Sequence, residues 1–105
     1  MSSTRFCQTW DNMPEGAAPG GLGKRNLGGV GAKLAAVHVL AGTRGSRRSH
    51  PHEQFVQVIS GQGTLWTDQG GQAFGPGSVF HFPAGVEHRA EFETETLLVE
   101  TNLRA

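Results

Sequence analysis

Residues 42–61 read GTRGSRRSHPHEQFVQVISG, and residues 77–88 read GSVFHFPAGVEH. Each stretch joins a run rich in β-branched and aromatic residues to a turn. Phe55 to Ser60 is one run, stopped by Gly61-Gln62-Gly63, and Ser78 to Phe82 is another, stopped by Pro83-Ala84-Gly85. Three of the five histidines, His50, His52 and His88, fall beside these runs. Neutral imidazole is the commonest ligand of divalent transition metals, and an oxygen donor complements it. Residues two apart on an extended strand share a face, so His50, His52 and Gln54 can point the same way. Pro51 leaves that register open.

Outward from these stretches the pattern of short strands and turns continues. Thr64-Leu65-Trp66-Thr67 alternates polar with apolar, Asp68-Gln69-Gly70-Gly71 supplies turn chemistry, and Gln72 to Phe74 completes a hairpin. Arg89 to Phe92 and Thr96 to Thr101 read as two more strands. Upstream, Ala35, Val37 and Val39 alternate with Ala36, His38 and Leu40, which predicts a strand beginning near Lys33. Sixteen glycines and five prolines oppose long helices. The fold class is therefore all-β, a barrel or sandwich. Met13 to Gly31 is Gly-rich and weakly patterned, so residues 1–31 read as a loop or arm and 32–105 as the barrel domain. Its glycines include no GxxxxGK[ST] phosphate loop.

At 105 residues there is room for one compact domain. A hydrophobic fraction of 36% with 17% charged residues fits a globular chain. Nine basic residues balance nine acidic ones, so charge favours neither nucleic acid nor an acidic membrane as a partner. Cys7 is the only cysteine, which rules out an internal disulfide framework and a Cys-rich zinc site. With no apolar leader and no run approaching ~18 apolar residues, a cytoplasmic location is expected.

The two opening stretches, at their separation, resemble the two motifs of the cupin family. The first motif runs Gly, five residues, His-x-His, three or four residues, Glu, six residues, Gly, and maps onto Gly42 to Gly61. The second runs Gly, five residues, Pro-x-Gly, two residues, His, and maps onto Gly77 to His88. The resemblance covers about the C-terminal two-thirds of the chain and implies a double-stranded β-helix, or jelly-roll, barrel of the small bacterial type. It also implies one divalent transition metal, Fe, Mn, Ni, Zn or Cu, and pairing into a homodimer. Carried across by position, the second His of motif 1 is His50, the acidic ligand is Gln54 and the His of motif 2 is His88. Gln54 retains a carbonyl oxygen able to coordinate. The first His of the pair is Arg48, which stays protonated and offers no lone pair. His52 is the nearest residue to restore a fourth ligand, or else a supporting group. A second register, His50-x-His52 with Gln57 as oxygen donor, is also open.

Other residues carry further expectations. Arg48 is a candidate to bind a substrate carboxylate at the barrel mouth, and His81 to line the pocket beside His88. His38 has a weaker claim to the pocket. Glu53 and Glu87 flank the ligands as acid–base groups or as surface ion pairs. The expected activity is metal-dependent chemistry on a small oxygenated or carboxylate substrate, of isomerase, lyase or dioxygenase type. The HPHEQ form is similar to that of cupins converting unsaturated uronates. The alternative is a non-catalytic module that binds a small ligand or metal.

Overall fold

The computed structural model describes residues 6–13, 15–18 and 22–104. Among the described residues a turn of 3-10 helix at Trp10–Asn12 is followed by nine strands: β1 Glu15–Ala18, β2 Leu22–Gly28, β3 Ala32–Val39, β4 Gln54–Ser60, β5 Gly63–Thr67, β6 Gly70–Phe74, β7 Val79–Phe82, β8 Arg89–Phe92 and β9 Thr96–Leu103. They form two antiparallel sheets, ordered β1-β2-β3-β9-β4-β7 and β6-β5-β8. Residues 44–48 run beside β8 through bridges at Arg44–Glu91 and Arg48–His88, which extends the smaller sheet. The all-β jelly-roll expectation is met.

Period-two alternation decides which side chains enter the core. In β4, Gln54, Val56 and Val58 are buried while Phe55, Gln57 and Ile59 are exposed. In β7, Phe80 and Phe82 turn inward and Val79 and His81 outward. The inner faces meet as one apolar cluster that includes Val37, Val39, Leu65, Phe74 and Leu98. Phe74 meets Phe80 and Phe92 edge-on, at centroid distances of 5.3 and 5.7 Å. Gly61, which ends β4 at a φ of +101°, abuts the fully buried Thr96, so a side chain there would both strain the backbone and collide.

Regular structure begins earlier than Lys33. The segment read as a loop, Met13 to Gly31, holds both β1 and β2, and β2 pairs with β3 from Gly23–His38 to Gly28–Lys33. Glycines without side chains give no alternation to read, so the pairing with β3 decides the strand. Pro14 and residues 19–21 of that segment lie outside the described residues.

Candidate metal and ligand site

Three backbone hydrogen bonds bring the two histidine-bearing loops together. Arg48 and His88 exchange both of theirs, at 3.0 and 2.9 Å, and the Gly85 amide donates to the His50 carbonyl at 2.8 Å. Gly85 takes a φ of +84°, a conformation open to glycine at no steric cost, and this lets the Pro83-Ala84-Gly85 turn reach His50. The His50 and His88 rings consequently lie 5.5 Å apart, centroid to centroid. His52 stacks on His50 at 5.1 Å, although Pro51 and His52 form a bend rather than a strand.

Each ring is held in a defined state. His88 lies flat on Phe82, 3.8 Å away with 2° between planes, and its Nδ1–H donates to the Val86 carbonyl at 3.2 Å. That bond leaves the Nε2 lone pair free. Burial pushes the His88 pKa down, helped by Arg48 and opposed by the Val86 hydrogen bond and Glu100. Burial also lowers His50, followed by the charges of His88, His52, Arg48 and Lys24. Both shifts favour the neutral imidazole, the form that can offer a lone pair.

Asn102 was not foreseen as part of this site. Its Oδ1 accepts from Gln54 Nε2 at 2.8 Å and from His52 Nε2 at 3.1 Å. Gln54 is 4% exposed, and with its amide N–H directed at Asn102, its Oε1 is the atom left for a cation. Glu100 and Lys24, 3.7 Å apart, were missed as well. A signal existed in β9, where Thr96, Leu98, Glu100 and Asn102 share one face and the last two break its apolar character.

Other candidates lie elsewhere. His81, expected in the pocket, faces away from the interior, stacked on Phe55 at 4.7 Å with Nε2 2.6 Å from Glu53. Strand alternation is the reason, since Phe80 and Phe82 take the inward positions. His38 faces outward beside Glu95, and Glu87 pairs with Arg47 at 3.2 Å on the surface. Gln57 is exposed on the outer face of β4, so the second ligand register does not form. Arg48 lines the interior cavity together with Gln54, His88 and Glu100.

Residues 35–100 match the cupin domain model, Cupin_2. The chain belongs to the cupin family. Among solved structures, this cupin is similar to an RmlC-like cupin from Shewanella frigidimarina at 23% identity, covering 100% of this chain and 96% of that one, with a TM-score of 0.87. It is also similar to KdgF from Halomonas sp., at 17% identity, 90% and 92% coverage and a TM-score of 0.79. A third is ectoine synthase from P. lautus, at 17% identity, 94% and 78% coverage and a TM-score of 0.83. At these identities the likeness shows the fold. No protein of curated function matches this cupin in sequence.

Among the described residues, no three His, Cys, Asp or Glu side chains are grouped to hold a metal ion. Two imidazoles and an amide oxygen are donors of the kind that suit a divalent transition ion, and the Arg48 charge acts against a cation beside His50 and His88. No helix among the described residues is long and apolar enough to cross a membrane.

Proposed function

We propose that this cupin binds one divalent transition metal through His50, Gln54 and His88 and acts on a small carboxylate-bearing molecule. The observation that supports this most is the pair His50 and His88, 5.5 Å apart and both shifted toward the neutral form, with His88 lining a cavity that Arg48 and Gln54 also line. The chemistry supplied by such an ion is Lewis-acid polarisation of a carbonyl or enol oxygen. The protein's own part is positional. Phe82 fixes the plane of His88, Asn102 orients Gln54 and His52, and Arg48 offers a fork of donors to a carboxylate. Ectoine synthase and a sugar phosphate isomerase from Silicibacter pomeroyi among its structural neighbours support an enzymatic reading. Isomerisation and elimination both fit.

Metal analysis of the purified protein and its His88→Ala variant tests this. Near one equivalent of Fe, Mn, Ni, Zn or Cu is expected in the parent, and at least ten-fold weaker retention in the variant. Absence of metal after loading with each ion overturns the proposal. It would favour the second reading, a non-catalytic module in which the Arg48 guanidinium itself is the cation that meets an anionic ligand. The observation behind that reading is Arg48 standing where the family's first histidine falls, side by side with His88.

A further inference from the structure

We infer that the ligand of this cavity is a small monocarboxylate with an apolar body, aromatic or branched aliphatic, and not a polyhydroxylated sugar acid. This rests on the reading that the cavity at His88 and Arg48 is the ligand site, and it names the class of molecule that enters.

The first argument is the division of the cavity wall. Deep positions are taken by Val37, Val39, Val56, Leu65, Phe80 and Leu98, none of which offers a side-chain hydrogen bond. The amide and charged groups of Gln54, Arg48 and Glu100 lie near His88, while the remaining polar lining is Thr43, Ser46 and Arg89. Strand register places Gln54 in line with Asn102 and Phe82, with Glu100 one step further in beside Val56. The exposed Arg48 lies opposite His88. A ligand with its charge at the opening and carbon behind matches this division. A sugar acid would bring hydroxyls against the valine, leucine and phenylalanine walls, and each buried hydroxyl left without a partner costs roughly ten-fold in affinity.

The second argument is size. The cavity measures about 140 Å³. An apolar cavity of ~150 Å³ takes up benzene, so a six-carbon body is the scale of the occupant.

The third argument is charge. Arg25, Arg44, Arg47 and Arg89 each have an acidic partner within 4.0 Å. Arg48 forms no ion pair and no side-chain hydrogen bond with any described residue, although it lines the cavity. Its neighbour Arg47 is engaged with Glu87, so one of two consecutive arginines is held and the other is available. Glu100, in the same lining, is matched by Lys24 at 3.7 Å, and Arg89 by Glu91, so Arg48 is the unmatched charge of that lining. One negative charge is the number the site accommodates.

Isothermal calorimetry on the protein as purified, with benzoate, 4-methylpentanoate, galacturonate and phthalate, tests the inference. At least one of the two apolar monocarboxylates is expected to bind ten-fold or more tightly than galacturonate and phthalate. Arg48→Gln, an exposed position whose exchange leaves the core intact, is expected to weaken that binding at least ten-fold with no loss of metal. Galacturonate or phthalate binding as tightly as the apolar acids overturns the inference, as does benzoate binding indifferent to Arg48→Gln. Failure of all four probes in metal-containing protein overturns the ligand class and leaves the metal centre standing. Failure together with absence of metal removes both.

Discussion

His88 and His81 are seven residues apart, and each stacks face to face on a phenylalanine, yet they have opposite surroundings. His88 lies against Phe82 on the inner side, where a backbone carbonyl takes one ring N–H and the other nitrogen stays open. His81 lies against Phe55 on the outer side, where a carboxylate 2.6 Å away occupies its Nε2. The two rings differ in which face of a sheet carries them. A histidine becomes a candidate ligand when its partner leaves a lone pair and its site excludes water. The outer ring, bound to a carboxylate in solvent, meets neither condition.

The sharpest way to break this contrast is to remove the stacking partners. Phe82 is 5% exposed and Phe55 37% exposed. Phe82→Ala opens a cavity in the core and is expected to cost about 3–5 kcal/mol in urea unfolding. Phe55→Ala, on the solvated face, is expected to cost about 1 kcal/mol. Equal losses would mean that the outer face is covered in solution.

Much of that contrast was legible in the sequence. The motif spacing singles out His50, Gln54 and His88, whereas His81 was expected in the pocket for its nearness to His88, although the alternation Val79-Phe80-His81-Phe82 sends the two phenyl rings to one side and His81 to the other. What was not legible depends on pairing between distant segments. Asn102 and Glu100 reach the site because β9 lies beside β4, with Gln54 facing Asn102 and Val56 facing Glu100. No local pattern carries that register. Strand β2 was hidden for a related reason, since its glycines become a strand by pairing with β3.

Acid should act on the inner ring through its lowered pKa. Burial holds His88 and His50 below the ordinary histidine value of 6.5 in the folded protein. Between the lowered folded value and 6.5 the unfolded chain binds more protons than the folded one, so stability falls as pH falls through that window. This contribution is complete above 6.5. Urea unfolding of metal-free protein from pH 7.5 to 5 is expected to show the decline, and His88→Gln to flatten it. A pH-independent difference between parent and variant would assign the role of His88 to packing alone.

The smallest effect belongs to the outer pair. His81 and Glu53 are half exposed, with side chains 49% and 41% accessible, so water and salt screen their attraction despite the short contact. Glu53→Gln removes the charge and keeps the shape. Its cost is expected to stay below about 1 kcal/mol and to shrink further in ~1 M salt, with metal content unchanged. The backbone carbonyl of Glu53, which accepts from Leu103, is retained in the variant and continues to hold β9 beside the loop. A larger loss, or a change in metal content, would mean that the outer histidine communicates with the inner one across β7. The inward and outward faces of that strand would then act as one unit, and the separation of ligand from surface pair would no longer follow from the side of the sheet.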